Sequence, residues 1–306
     1  MQDSILVSII VNCFNGDKYL ESALNSVINQ THRNWELIFW DNKSTDSSKK
    51  IFDGYSDDRM KYYFATKHTD LGSARLNAIG KSSGKYICFL DCDDMFEPDK
   101  LQVQLSTITK GDYFMCYGGS YIINEDGAII RKFIPNYPNG YIFPLLLKRY
   151  EIMMPTVMVK REVFSKWSFD DLLSYSPDYD LFMQVASEEK ICSVKKTICS
   201  YRLVENSLSS KSLSVVSKEK SHTLVKILNH NPGLFTIYRK QFYCAFDKAK
   251  YYESIYCISV DNYQSALAYL SNIRFKKWQY FSLYILVRLN MPSSSILKLI
   301  KFLTYR

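Results

Sequence analysis

The sequence YICFLDCDD, residues 86–94, determines the expected fold, because an apolar run passes directly into three carboxylates. Residues 86–90 have the length and composition of a buried strand. Asp91, Asp93 and Asp94 follow within four residues, and like charges at that spacing repel one another. A divalent cation with oxygen ligands, Mg²⁺ or Mn²⁺, relieves the repulsion and keeps coordination sites for diphosphate oxygens. The cluster therefore indicates a metal site, and the alternative is an acidic turn that caps the next helix.

Strands and helices are predicted to alternate through the first hundred residues. Apolar runs predict strands at residues 7–11, 35–40, 60–64 and 86–90. Helical periodicity and polar starts predict helices at residues 19–28, 45–55, 72–79 and 98–108. This alternation is typical of right-handed βαβ units and a mostly parallel sheet. Ligands bind beyond the carboxyl ends of such strands, at the polar segments 12–15, 41–44, 68–75 and 91–94.

The pattern changes after residue 112. Two strand-like runs, 117–123 and 128–133, flank the turn sequence NEDG and predict a hairpin that extends a mixed sheet. Beyond residue 215 the periodicity becomes helical. We therefore predict an α/β domain over residues 1–215 and a helical region over residues 216–306.

Composition narrows the class of protein. A chain of 306 residues that is 47% hydrophobic can bury a large core. Its eight cysteines contain no CxxC pair, which indicates reduced thiols in a cytoplasmic protein rather than disulfides or a zinc site. We expect no secretion signal and no transmembrane helix, since the longest apolar stretch, residues 280–287, is too short.

The positive charge is concentrated at the carboxyl end. No acidic residue follows Asp261, while seven lysines and arginines do. Trp278, Phe281, Leu286 and Leu289 recur at helical spacing among them. This pattern is typical of an amphipathic helix on an anionic membrane surface, and equally of a solvated helix packed on the main domain.

Two further segments are candidates for chemistry. Asp41 and Asn42 follow the second strand and could hydrogen-bond a nucleobase, with Phe14 as a stacking face. Both features are also compatible with an ordinary turn and an ordinary core residue. Asp178 and Asp180 lie at a predicted helix start, where a carboxylate could cap the helix or act as a general base toward a hydroxyl.

Together these segments resemble the family 2 glycosyltransferases of the GT-A fold, over about residues 5 to 205. Residues 7–15 look like the opening strand of the family, and residues 40–46 like its Val-Asp-Asp-Gly-Ser-Thr-Asp loop. Residues 72–86 then lead into an Asp-x-Asp signature, Asp91-Cys92-Asp93. Residues 154–163 look like the acceptor-side loop, and residues 177–181 like the Glu-Asp motif.

The resemblance implies a role for each matched residue. The residues that it implies contact the donor are Phe14, Asn15, Asp41, Asn42, Arg75, Asp91 and Cys92. The metal ligand, for Mn²⁺ or Mg²⁺, is Asp93, and the catalytic base is Asp178 rather than Asp180. The implied reaction is a single in-line displacement that inverts the anomeric carbon.

Three departures from the family pattern qualify these roles. Asn42 and Lys43 replace Asp and Gly, so a UDP-sugar is the favoured donor but thymidine and guanosine donors stay open. Pro177 replaces the Glu of the Glu-Asp motif. Val204 stands where the family often has His in a Tyr-Arg-x-His segment, so no histidine metal ligand is assigned.

The implied acceptor is a glycan or lipid-linked saccharide in the assembly of a bacterial surface polysaccharide such as capsule, O-antigen or lipopolysaccharide. The expected location is the cytoplasm, at the inner face of the membrane, and we expect no nucleic-acid partner. The alternatives are a non-catalytic nucleotide-sugar-binding protein and a nucleotidyltransferase. The latter would be expected to have a glycine-rich basic loop after the first strand, and residues 12–17 do not form one.

Overall fold

The structure is a computed structural model that describes residues 4–204 and 213–304. The chain divides into two compact units, residues 1–205 and residues 206–306. The boundary predicted at residue 215 lies in the first turn of the first helix of the second unit. The segment that resembles Tyr-Arg-x-His comprises residues 201–207, and its last three residues, 205–207, lie outside the described residues.

The strands described in the first unit form one mixed sheet. They are β1 (Val7–Cys13), β2 (Trp35–Asp41), β3 (Met60–Phe64), β4 (Tyr86–Asp91), β5 (Met95–Phe96), β6 (Met115–Ile123), β7 (Ile129–Phe133), β8 (Met158–Lys160) and β9 (Ile191–Arg202). Their order is β3-β2-β1-β4-β8-β6-β9-β5, and β7 pairs with β6. The run β3-β2-β1-β4 is parallel, as is β6 with β9, whereas β8 is antiparallel to both its neighbours. The expected α/β fold with a mixed sheet is confirmed.

The four helices predicted in the first hundred or so residues are present with shifted ends, and two further helices follow them in the described part of the first unit. They are α1 (Asp17–Ile28), α2 (Ser48–Asp53), α3 (Leu71–Ile79), α4 (Lys100–Ile108), α5 (Phe143–Lys148) and α6 (Pro177–Glu188). Helix α2 begins at Ser48, whose backbone N–H donates to the Asp46 carboxylate in a local turn. Helix α4 begins two residues after Pro98, because the Pro98 carbonyl accepts a hydrogen bond from the Thr31 backbone N–H.

The parallel part of the sheet forms the centre of the core and aligns its polar ends. Every residue of β1 is buried, and α1 covers one face of the sheet with Leu20, Ala23, Leu24 and Val27. In the strand register, Cys13 lies beside Asp41 and Asn12 lies beside Asp91. The loops after β1, β2 and β4 therefore meet at one edge of the sheet, which is where ligands of parallel sheets bind.

The opposite, amino-terminal edge is held by a buried carboxylate. Glu36 accepts hydrogen bonds from the Ser8 hydroxyl (2.8 Å), the Lys61 ammonium (2.8 Å) and the backbone N–H of Gly84 (3.2 Å), and both N–H and hydroxyl of Ser83 also donate to it. Burial alone would raise the pKa of Glu36, but the hydrogen bonds from Lys61, Ser83 and Ser8 outweigh it and lower the pKa to about 2. Glu36 thereby joins the starts of β1, β2 and β4.

Glu36→Gln is expected to lower the free energy of unfolding by about 3 kcal/mol at neutral pH, since the charged hydrogen bonds are lost. Because the folded pKa lies below the ordinary 4.5, this stabilisation is complete above that value and disappears as the pH falls toward about 2. Urea unfolding between neutral and acidic pH measures the free energy of unfolding of both proteins, and thus this loss and its pH dependence. Glu21→Gln, at an exposed position on α1, is the control, and an equal loss in both variants would contradict the assignment.

The second unit is helical in its described part. Its helices are α7 (Leu213–His230), α8 (Gly233–Ser259), α9 (Tyr263–Ser271), α10 (Trp278–Arg288) and α11 (Ser293–Thr304). Helix α8 is kinked at Tyr238, which has non-helical dihedral angles. Ile258, Ala266, Leu270 and Val287 contribute to a core of its own. No helix within residues 4–204 and 213–304 is long and apolar enough to cross a bilayer.

Candidate functional site

The loop after β1 presents an aromatic ring at the carboxyl edge of the sheet. Phe14 is 52% exposed, and its ring centroid lies 4.2 Å from that of His68. Asn15 has a positive φ of 52°, a conformation that asparagine tolerates better than most residues. Its side-chain oxygen accepts a hydrogen bond from the Thr45 backbone N–H at 2.8 Å. Asn15 thus joins the loops after β1 and β2, while Phe14 faces outward.

The side chains of Asp41 and Asn42 are buried beneath this loop. The Asp41 carboxylate accepts hydrogen bonds from the Ser44 backbone N–H and the Tyr62 hydroxyl, both at 2.6 Å. The Asn42 amide donates to the Thr69 carbonyl at 2.8 Å. Both side chains therefore already have hydrogen-bond partners within the protein. Their contacts with the donor remain a prediction.

His68 also belongs to this group; the sequence placed it at the start of the polar segment 68–75 but gave it no role of its own. Its Nδ1 lies 2.9 Å from the Asn42 carbonyl oxygen, which can only accept, so Nδ1 carries the proton in that bond. The bond holds the imidazole beside Phe14. An aromatic pair on the loop surface offers a stacking face to a planar ring.

Arg75 and Asp91 form an ion pair at the end of β4. Arg75 is 3% exposed, and its guanidinium lies 3.0 Å from the Asp91 carboxylate. Helix α3 positions the arginine, and Asp70 caps that helix by accepting a hydrogen bond from the Ser73 backbone N–H. The Cys92 thiol donates to the Asn12 carbonyl at 2.9 Å. A donor contact from Cys92 would therefore come from its main chain.

Asp93 and Asp94 have different surroundings. Burial and then the negative charge of Asp91 raise the pKa of Asp93 to about 6. Apart from its own backbone N–H, no described group hydrogen-bonds the Asp93 carboxylate. The Asp94 carboxylate accepts from the Arg202 backbone N–H at 2.8 Å, and burial raises its pKa well above the ordinary value. Asp94 thus anchors the end of β9, and Asp93 is the carboxylate that is available to a ligand.

Arg202 connects several parts of the site. Its side chain donates to the backbone carbonyls of Asp93 (2.9 Å), Asn124 (3.1 Å) and Glu125 (2.9 Å), and its guanidinium lies over the Tyr19 ring. It therefore ties the carboxylate cluster to the β6–β7 turn and to α1. In the sequence, Arg202 lies in the segment that resembles Tyr-Arg-x-His, but its anchoring role depends on long-range contacts that the sequence does not reveal.

The carboxylate cluster fits a divalent cation that a diphosphate also ligates. The Arg75 guanidinium compensates the charge of Asp91, whereas burial and then the charge of Asp91 raise the pKa of Asp93, and the nearby Arg202 offsets this only in part. The described residues contain no preformed group of three histidine, cysteine, aspartate or glutamate ligands. Mg²⁺ and Mn²⁺ sites commonly use one or two carboxylates and complete their shell with substrate phosphates and water. The residues fit that arrangement and do not fit a self-sufficient metal cage.

The two aspartates of α6 are also distinct. Asp180 is fully buried and accepts a hydrogen bond from the Gln184 amide at 2.7 Å. Asp178 is half-buried in the first helical turn. Burial, and then the charge of Asp178, raise the pKa of Tyr150 well above its ordinary value. Asp178, not Asp180, has the exposure that a general base requires.

The predicted acceptor-side loop is divided between the two edges of the sheet. Strand β8 is antiparallel to β4, with Met158 beside Cys88 and Lys160 beside Tyr86. The segment Met154–Thr156, a short 3-10 helix, thus lies toward the carboxyl edge of β4. Arg161 lies at the other edge, where its guanidinium donates to the Gly84 carbonyl at 2.6 Å. The Met154 end of the loop is the part that can approach a ligand at the site.

Known proteins provide an independent comparison. The family described as "Glycosyl transferase family 2" matches residues 8–167, just over half of the chain. The chain is 32% identical over 219 residues to the Escherichia coli UDP-Glc:alpha-D-GlcNAc-diphosphoundecaprenol beta-1,3-glucosyltransferase WfgD, covering 71% of this chain and 85% of that protein. It is 30% identical to an uncharacterized glycosyltransferase from Rickettsia felis, covering 64% of this chain but 33% of that protein. The chain thus spans about a third of the length of that relative.

Solved structures show the same fold. S. aureus TarS 1-349 in complex with UDP-GlcNAc superposes with a TM-score of 0.63 at 16% identity, over 93% of this chain and 88% of that one. The mannosyltransferase PcManGT from Pyrobaculum calidifontis, in complex with GDP-Man and Mn²⁺, superposes with a TM-score of 0.62 at 12% identity, over 98% and 85% of the two chains. The motifs, the sheet and these similarities agree, and the chain belongs to glycosyltransferase family 2 and has a GT-A fold.

Proposed function

We propose that the protein is an inverting glycosyltransferase that moves a sugar from a nucleoside-diphosphate sugar to a hydroxyl of a glycan or lipid-linked acceptor. The observation that carries this proposal is the undercompensated carboxylate cluster at the carboxyl edge of the parallel strands. Such a cluster suits the anionic diphosphate of a donor through a shared cation. A purely structural turn would have no need of the Asp93 carboxylate, which among the described residues is hydrogen-bonded only by its own backbone N–H.

Asp178 is the proposed base. Its carboxylate accepts the proton of the acceptor hydroxyl as the oxygen attacks the anomeric carbon. Attack from the face opposite the leaving nucleoside diphosphate forms the new C–O bond as the old one breaks, so the configuration inverts. The position of Asp178 supports this role, because it lies in the first turn of α6 and is half-buried, whereas Asp180 is fully buried.

The leaving diphosphate lies, in this proposal, beside Arg75, Asp91 and Asp93. A bound Mg²⁺ or Mn²⁺, held through Asp93, would supply Lewis-acid stabilisation of the negative charge on the leaving oxygen. Arg75 orients Asp91 through their ion pair, and Arg202 fixes the backbone at Asp93. The role of the protein is to hold these groups in place before the reaction, so little reorganisation is needed.

The nucleoside end of the donor is proposed to contact Phe14, Asn15, Asp41, Asn42 and the backbone of Cys92. A UDP-sugar is favoured, since WfgD is named for UDP-Glc and TarS was solved with UDP-GlcNAc. The name of WfgD also describes a diphosphoundecaprenol acceptor. By analogy we propose a lipid-linked acceptor in bacterial surface polysaccharide synthesis, and a cytoplasmic enzyme whose basic carboxyl-terminal region contacts an anionic membrane.

A donor panel tests this function. With UDP-, dTDP- and GDP-sugars and Mn²⁺ or Mg²⁺, release of UDP is expected to exceed release of the other nucleotides by about tenfold or more, the discrimination that a base-specific site can provide. Chelation of the metal is expected to abolish the release of UDP. A coupled assay for free nucleoside diphosphate measures the rate. No release from any donor with any acceptor would favour a non-catalytic binding protein.

A further inference from the structure

Helix α10 carries apolar side chains on two sides. One side is buried in the core of the second unit and consists of Tyr280, Leu283 and Val287. The other side is formed by Trp278, Phe281 and Ile285, followed by Leu289 at the helix end, and these four are 64%, 43%, 37% and 69% exposed. We call these four residues the apolar stripe. Leu286, which the sequence placed on this face, packs against the core, and Ile285 takes its place.

Aromatic and cationic groups extend the apolar stripe at its amino-terminal end. Phe275 is 77% exposed, and its ring stacks on that of Phe281 with centroids 6.0 Å apart. The Arg274 guanidinium lies over the Phe275 ring at 4.6 Å. Exposed tryptophan and phenylalanine beside lysine and arginine are typical of a surface at the boundary between lipid headgroups and acyl chains.

A pocket of about 300 Å³ is present in the same unit. Lys240, Lys276 and Lys277 line it together with Tyr243 and Tyr280. Asp247 also lines it and forms an ion pair with Lys276 at 2.7 Å. Among the described residues, neither Lys240 nor Lys277 pairs with a carboxylate. The lining therefore carries three positive charges against one negative charge, which favours an anion.

The pocket and the apolar stripe are adjacent in the chain, since Lys277 immediately precedes Trp278. No acidic residue occurs after Asp261 to oppose an anionic partner. We propose that this pocket binds the phosphate of an anionic phospholipid headgroup while the apolar stripe enters the lipid interface. The inference deepens the membrane contact proposed above, on which it rests, by naming its binding site and the chemistry of the ligand.

The pocket is tested with the full-length chain and vesicles of phosphatidylcholine, with and without phosphatidylglycerol. The double variant Lys240→Gln/Lys277→Gln is expected to lower binding to the anionic vesicles about tenfold or more, because two cations next to the headgroups are lost. It leaves the Lys276–Asp247 ion pair intact. The control is Lys110→Gln/Lys148→Gln, which removes the same charge at exposed positions of the first unit. An equal loss of vesicle binding in both double variants would show an effect of net charge and would overturn the proposed phosphate site in the pocket.

Soluble ligands distinguish a lipid from free phosphate. Short-chain dihexanoyl phosphatidylglycerol, below its micelle concentration, is expected to bind about tenfold more tightly than inorganic phosphate, because the apolar stripe contacts its chains. The lysine double variant is expected to lose this binding. Equal affinity for both ligands would identify a free-phosphate site and overturn the lipid assignment.

Tryptophan fluorescence reports on the apolar stripe. All four tryptophans lie in the described residues, and Trp35 and Trp167 are buried, Trp40 is half-buried and Trp278 is exposed. Vesicle binding is expected to shift the emission of Trp278 to the blue, and Trp278→Phe should abolish the shift while retaining binding. If the blue shift persisted in Trp278→Phe, the placement of the apolar stripe in the lipid interface would be wrong. Nucleotide release by these variants is measured in parallel, so failure of the membrane site and failure of the transferase function remain distinguishable.

Discussion

Asp178→Asn is expected to lower turnover by about 10³-fold or more while leaving donor affinity within about twofold. An asparagine amide has nearly the same shape as a carboxylate but cannot accept the acceptor's proton. The loss should therefore fall on kcat and leave the KM for the donor nearly unchanged. Nucleotide release from the saturated enzyme measures the first quantity, and calorimetric titration with the donor measures the second.

The matched control for this variant is Asp171→Asn, an identical change at an exposed position seven residues earlier. It is expected to retain full turnover. Asp180→Asn is a less useful control, because Asp180 is fully buried and hydrogen-bonded to Gln184. Turnover by Asp178→Asn within about tenfold of the wild-type rate would exclude Asp178 as the base.

Asp93→Asn is expected to remove the metal dependence of donor binding and to lower turnover by about 10²-fold or more. The substitution replaces the carboxylate that no other described group hydrogen-bonds. An amide oxygen is a weaker ligand for a hard cation than a carboxylate is. Donor affinity should therefore become the same with Mn²⁺ as with a chelator, and titration under both conditions measures this without reference to activity.

Asp58→Asn provides the control for the loss of one negative charge, since Asp58 is exposed and lies in a turn outside the site. It should keep the difference in donor affinity between Mn²⁺ and chelator. If Asp93→Asn kept that difference as well, a divalent cation would have to be bound without Asp93, and the ligand assignment would be wrong.

The central strands could be predicted from sequence because each is a mostly apolar run that ends in polar residues. The hairpin of β6 and β7 could be predicted as well, from its turn sequence, whereas β5, β8 and β9 could not. Strand β8 has three residues, and β5 has two, which is too short for a periodic pattern. Strand β9 is longer, but its register with β6 shifts twice and its middle exposes Lys195 and Lys196. These irregularities interrupt the alternation by which a strand is recognised.

The site was predictable to the extent that its residues follow strands. Family resemblance located the loops that contain Phe14, Asp41, Asp93 and Asp178, and the register of β1, β2 and β4 brings the first three loops to one edge. The supporting contacts were not predictable. Tyr62 reaches Asp41 from 21 residues away, and Arg202 reaches Asp93 from 109 residues away. Such partners depend on tertiary packing, which a single sequence does not reveal.

The Glu36 cluster has an implication for how such a protein diversifies. Its hydrogen bonds secure the starts of β1, β2 and β4, whereas the candidate donor and metal residues follow the ends of those strands. In the proposed function, the residues that hold the strand starts together and those that contact the donor are therefore separate sets at opposite ends of the same strands. Directed evolution toward a new sugar donor can randomise the loops after Cys13, Asp41 and Asp91 while the residues around Glu36 are kept constant. Libraries built in this way should retain a larger fraction of folded members than libraries that vary both ends.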